Sequence, residues 1–562
     1  MRGRATIAAA MMLIAIPTIA DAKGRPEPLD VRQGTAVGRA ADTNSLNGIY
    51  VSPVDGNVYV ASVGGDEITV HDTQNGKVLD RLGPESGVRG PDDLFIADDG
   101  TIYWTEILTG FVGMLKPDGT FMREFVGQGV NPITMSDDGR LFVGRLFFGS
   151  GLYELDPDFE NPAFMPVRRD SPASSLNINS FDFGPDGDLY APAQFTGEIV
   201  KIDVGADESS AIIVETVASG FRAPTAAKFN SLGELHVGDL AEGQVVKLDP
   251  NTGDREVLID IEGTIDNIAF GTDDRLYAAA GSDNQIIRYD SGRVKALGQP
   301  GLGSPGGVAV SPDGTVWVAE FFALRGIDKN PRKFATSFYD RFDQPGDGFA
   351  GASTVAPDGD NLILSSGFSG AVQVLDPATG AIVFDTRDLA TPTNALRHGD
   401  TLVAAQLGDA PDPASVVNAE DPSEVFISGS SVPLFVPLGL ASDGDTLYVG
   451  DWATGIVWAI SDTGPTLLAV LQPPDPAGRG LEGLALDGDR LLAVETGREQ
   501  VTAIDLATGQ QSVVIDGLDF SARVPEGFFP FGSMSGVAVG PDNSIFVSDD
   551  GVNTVYRFRR PG

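Results

Sequence analysis

Six positions in the first half of this sequence offer a side-chain oxygen at a recurring place. They are Asn47, Asp92, Asn131, Asn179, Thr225 and Asp266, each just ahead of a short β-branched run. A ring of amide and carboxylate oxygens suits a hard cation such as calcium, which takes six to eight oxygen ligands. Zinc would want imidazole or thiolate; the chain has three histidines and no cysteine. The alternative is that Asn and Asp stand here as turn formers ahead of each strand. The contrast with the second half favours a site. There the matching positions are taken as Gly306, Gly351, Pro392, Pro437, Glu482 and Ser535, nearly all small or apolar.

A second set closes each hairpin: Ser62, Glu106, Arg145, Gln194, Asp239 and Ala280, then Glu320, Ser366, Gln406, Asp451, Glu495 and Asp549. Antiparallel pairing returns the end of a second strand to the end where the first began, so both sets face one opening. The elements that position them recur in phrases such as Gly306-Gly307-Val308-Ala309-Val310-Ser311-Pro312-Asp313-Gly314-Thr315-Val316-Trp317-Val318-Ala319-Glu320. This reads as strand, Pro-Asp-Gly turn, strand. Twelve copies at a spacing of roughly 40 to 50 residues have the period of four-stranded propeller blades. One wheel of twelve blades would be too wide. The expectation is an all-β tandem of two six-bladed β-propellers, residues 47–302 and 303–562, with seven plus five as the alternative.

Residues 1–22 have a charged start, a short apolar centre and the site Ala20-Asp21-Ala22. They read as a secretory signal peptide, with an uncleaved anchor as the alternative. No later stretch approaches membrane length, so the expected location is periplasmic or extracellular. The lead-in, residues 23–46, is either flexible or adds an outer strand. The last copy lacks its own outer strand and needs one from elsewhere, because a bare edge invites aggregation. Two irregular stretches, 328–348 and 409–424, are expected to be loops. A net charge of −41 excludes nucleic acid and anionic membrane surfaces as partners.

The phrases Asn47-Gly48-Ile49-Tyr50-Val51-Ser52-Pro53 and Ser180-Phe181-Asp182-Phe183-Gly184-Pro185-Asp186-Gly187-Asp188-Leu189-Tyr190 resemble the gluconolactonase, senescence-marker-protein and luciferin-regenerating-enzyme family. They are also similar to NHL-type repeats. The resemblance implies six blades and a divalent ion, usually calcium, at the mouth. Asn131, Asn179 and Asp266 match the family's Asn and Asp positions, and Asp92 and Asn47 complete the oxygen set. The family's Glu-Gly-Pro phrase has its nearest echo in Glu482-Gly483-Leu484, in the second half. The activity implied is hydrolysis of a small lactone or ester. The cation would act as Lewis acid, Glu106 or Asp239 as general base, and Arg145 as oxyanion donor. A salt bridge to Glu106 or Asp239 is the alternative for Arg145. The rival reading is a non-enzymatic propeller that presents loops to a protein or glycan, with structural calcium or none. His71, His236 and His398 lie off the openings: a third strand, the far face of a second strand, and a turn.

Overall fold

The computed structural model describes residues 29–160, 165–166, 176–205, 213–327, 332–335, 348, 350–408, 411–520 and 534–560. Residues 1–22, expected to be a signal peptide, and most of the 328–348 stretch lie outside them. The fold is all-β: the described residues form twelve sheets, eleven of four strands and one of five. In ten of them the strands run in chain order, as an antiparallel meander. Glycines in the left-handed region close many of the tight connections, for example Gly56, Gly100, Gly187 and Gly314.

The two exceptions are the last two sheets, which the lead-in completes. β1 (Leu29–Asp30) pairs in parallel with Gln511–Asp516. β2 (Thr35–Val37) pairs antiparallel with Thr554–Phe558, supplying the outer strand that the last repeat lacks. Residues 415–418, expected in a loop, instead form the third strand of their sheet, against Thr401–Gln406. His398 ends a first strand, Pro392–His398, and is not in a turn.

The core lies between neighbouring sheets. Phe142, Ile178, Phe181, Leu189 and Ile202 form one such layer; Val403, Val416, Leu440, Val449 and Trp458 form another. First strands of consecutive sheets pack side by side. In the first half Ile268–Phe270 of the sixth sheet also packs against Ile49–Val51 of the first. In the second half Val537–Val539 packs against Val308–Val310 in the same way.

Matching backbone hydrogen bonds identify equivalent positions. The amides of Asn47, Asn179, Asp266 and Gly306 donate to the carbonyls of Ala61, Pro192, Ala279 and Ala319 at 2.8–3.0 Å. Ser353 makes this bond to Ser365 at 2.9 Å, so Ser353, not Gly351, occupies the position. Register shifts after Pro392 and Pro437 likewise move the position to Thr393 and Leu438. A bulge adds a residue that spacing alone does not reveal.

Removing residues 29–37 should bare the outer edges of the last two sheets. Thermal unfolding and light scattering are the measurements; a lower Tm with faster aggregation is expected, whereas an unchanged melt would mean that these strands contribute nothing.

Candidate functional site

Asn47, Asp92 and Asp266 come together at one end of the first six sheets. The Asn47 amide Nδ2 donates to Asp266 Oδ2 at 3.2 Å, joining the first and sixth sheets. Asp92 of the second sheet is 7 % exposed, and burial followed by repulsion from Asp266 and Asp93 drives its pKa well up. Burial likewise raises Asp266 to about 7, against the pull of the Asn47 bond. Among the described residues no three carboxylates or histidines form a ready metal cage. The donor set is two acids and an amide, all hard oxygen ligands, and it fits calcium better than a softer ion.

Asn131 and Asn179 are also buried at this level, but Asn179 is engaged sideways. Its Nδ2 donates to Gln194 Oε1 at 2.9 Å, and its Oδ1 accepts the Ser180 amide at 2.8 Å. The carbonyl of Asn131 accepts Thr105 Oγ1 at 2.5 Å.

One residue further along lies a hub that sequence reasoning passed over. Asp93 is 2 % exposed and reaches three other sheets. Ser180 Oγ and Asn267 Nδ2 each donate to it at 2.9 Å, and the Ile133 amide donates at 3.4 Å. Burial raises its pKa, opposed by the Lys228 ammonium and these donors. The signal available was a second acid directly after Asp92, where Asn47 and Asn131 are followed by Gly48 and Pro132.

The proposed base and oxyanion residues are committed elsewhere. Asp239 Oδ2 accepts the Arg222 amide at 2.8 Å and Oδ1 the Ala223 amide at 3.0 Å. Arg145 donates through Nε to Gln128 O at 2.9 Å and through a terminal nitrogen to Phe148 O at 3.1 Å. It bridges neither Glu106 nor Asp239. The same bracing recurs in the second half. Gln406 Oε1 accepts the Ala390 amide at 2.9 Å, Asp451 Oδ2 the Val436 amide at 2.7 Å, and Asp549 Oδ2 the Asp519 amide at 2.9 Å. The residue ending a second strand thus ties down the loop that leads into its own first strand. Glu106 is different, with a buried carboxylate paired to Arg123 at 3.0 Å and accepting Thr109 Oγ1 at 2.5 Å. At this rim Gln194 is a donor with capacity left: its Nε2 is buried without a partner among the described residues.

In the second half the equivalent level holds one acid. Glu482 accepts Thr496 Oγ1 at 2.8 Å and the Ser535 amide at 2.7 Å. Burial, then the nearby Asp550 carboxylate, push it up to about 8.

Twelve small meanders whose first strands pack side by side define a β-propeller protein. Residues 223–512 match the sequence model of the family described as outer membrane protein assembly factor BamB. That is just over half of the chain, which therefore belongs to this family. No curated protein matches it. Among solved structures it is similar to streptogramin B lyase, at 18% identity and a TM-score of 0.37 over 51% of this chain and 93% of that one. It is similar also to a gluconolactonase from Xanthomonas campestris, at 15% identity and a TM-score of 0.38 over 46% and 89%. Among the described residues no helix is long and apolar enough to cross a membrane.

Two outcomes are expected here. Asp93→Ala strands four buried donors, the Leu94 and Ile133 amides, Ser180 Oγ and Asn267 Nδ2, each worth about 1–3 kcal/mol when orphaned, and should lower stability in chemical denaturation by roughly 3 kcal/mol or more. Glu482 binds its proton more tightly folded than unfolded, so stability falls as pH rises from the ordinary glutamate range through about 8. Glu482→Gln should therefore melt higher than wild type at pH 9 and differ little at pH 4; equal melts at both would refute the assignment.

Proposed function

We propose that this chain is an exported hydrolase of small lactones or related esters, built as two six-bladed rings, with calcium at the mouth of the first. The two-ring arrangement is supported by the packing of the sixth sheet on the first and of the twelfth on the seventh. The observation that carries the site is the meeting of Asn47, Asp92 and Asp266 from three sheets. Export rests on the signal-like residues 1–22, and membership of a family named for outer-membrane assembly agrees with it.

In this reading Asp92, Asp266 and the Asn47 carbonyl oxygen hold the cation, with Asn131 and Asn179 at the same level completing the oxygen set. Calcium bound there supplies Lewis-acid polarisation of an ester carbonyl and acidifies a bound water. The chain's own residues do the rest. The Asn47 amide fixes the Asp266 carboxylate, and the Asp93 hub holds the four sheets beneath it in register. Gln194, with its Nε2 uncommitted, replaces Arg145 as the donor to developing negative charge.

The test is thermal unfolding with calcium and with EDTA, then a panel of aliphatic and sugar lactones. Calcium should raise Tm, and Asp266→Ala should abolish that rise and cut turnover at least 100-fold, the order expected for loss of a principal charge-stabilising group. Turnover that survives in both Asp266→Ala and Asp92→Ala sinks the site. A chain that melts identically in calcium and EDTA and turns over no ester sinks the hydrolase.

A further inference from the structure

The last six sheets enclose a cavity of about 280 Å³ that touches the first strand of every one of them. Its width has a local cause. One layer beyond the hub, five of the six positions are Ala309, Ala356, Ala441, Ala485 and Ala538, opposite Trp317, Ile363, Tyr448, Leu492 and Phe546 on the second strands. In the first six sheets the same layer holds Tyr50, Phe95, Thr134, Asp182 and Lys228 with only one alanine, Ala269. Tyr50 and Phe95 pack edge to face at 5.3 Å, and Lys228 Nζ donates to Phe181 O at 2.8 Å. Larger side chains stand in this layer of the first half; in the second half the layer lines the cavity.

The hollow has a closed end and an open one. At the level where first strands begin, Met534, Ser535 and Glu482 are buried. At the level where they end, Arg397, Ser442, Leu486 and Val539 are partly exposed and Pro357 is exposed. Arg397 brings no spare charge, because its guanidinium is paired with Asp358 at 3.2 Å. Glu482, bonded by neutral donors and raised by burial, brings little at neutral pH.

The walls are polar all the same. Each of the six first strands is the edge of its sheet, with ladder partners on one side only. Such an edge presents alternating N–H and C=O groups that need partners. A hydroxyl answers both, being donor and acceptor at once. An apolar cavity of about 150 Å³ already holds benzene, so this space is ample for one saturated six-membered ring with its hydroxyls.

We infer that this shaft is a binding site for a neutral, hydroxyl-rich ring of monosaccharide size, entering past Arg397 and Ser442 with Glu482 at its blind end. The site is independent of the cation site proposed in the first half.

Isothermal titration of the full chain with D-glucose and with myo-inositol tests it, with D-glucuronate as the charged comparison. At least one neutral ring should bind saturably, one per chain, and more tightly than glucuronate. Ala356→Phe, which places in the shaft the residue type found at Phe95, should weaken it at least tenfold while near-UV circular dichroism stays native. Asp266→Ala should leave it unchanged. A shaft that holds only water gives no saturable heat with either neutral ring, and that result overturns the inference. Equal affinity in a folded Ala356→Phe, or preference for glucuronate, overturns it as well. If Ala356→Phe does not fold, a wild-type crystal soaked in the better neutral ring decides the matter by density in the shaft or its lack.

Discussion

Neighbouring first strands must approach one another edge-on, and most of the architecture follows from how closely they do so. A Cβ on Gly48 would lie 2.5 Å from the carbonyl oxygen of Asp92; one on Gly307, 2.6 Å from Thr354 Cα; one on Gly536, 2.5 Å from the Val308 nitrogen. Only glycine tolerates contacts that short. The Gly48 and Gly307 amides use the proximity to donate to Asp92 O and Ser353 O, so sheets are stitched by main chain where a side chain would wedge them apart. The apolar layers between sheets then close behind that stitch.

The same layer decides the chemistry of each half. Where glycine gives way to Asp93, Ser180 and Asn267, the serine and the asparagine both bond Asp93 from other sheets. Where the layer reads Gly307, Thr354, Asn394, Gly439, Gly483 and Gly536, only Asn394 is long, and it bonds Leu438 O of the neighbouring sheet at 2.7 Å. The alanine layer beyond it lines the shaft. Two halves with one repeat grammar thus differ through a few substitutions per layer.

The repeat, the twelve sheets, the lead-in as outer strand and the oxygen-bearing level of the first half were legible in the sequence, because each rests on period and residue type. The levels of the second half were read two residues out at Ser353, whose hairpin closes from Asp358 to Asn361 through only two residues, and one out at Thr393 and Leu438, where bulges change spacing without changing composition. Asp239 and Arg145 also brace the incoming loops, a role that their position in the repeat does not by itself reveal. A polar residue at the end of nearly every second strand looks like a ring of chemical groups. Its very recurrence has a structural cause, since every sheet has an incoming loop to tie down. The more informative residues break the pattern: Asp93 beside Asp92, and the alanines where the first half has tyrosine, phenylalanine and lysine.

The two halves also constrain each other. Their connections run side by side, with Ala41 N donating to Leu302 O at 2.8 Å and Leu302 N to Arg39 O at 2.7 Å. Buried Glu320 binds Asn284 of the first half, and Arg325 reaches back to the Ser282 carbonyl. Across the junction Phe147 meets Phe368 at 5.2 Å, and Phe322 packs in one cluster with Leu240. Asn284, Ser282, Glu320, Phe322, Phe147, Phe368 and Leu240 lie at the ends of second strands or in the loops that follow them, so in both halves the ends where first strands begin are turned toward one junction. Access to Asp92 and Asp266 is therefore governed by loops of both halves. The shaft opens at the opposite end of its sheets, away from that junction. A ligand there would meet neither Asp92 and Asp266 nor the groups of the junction.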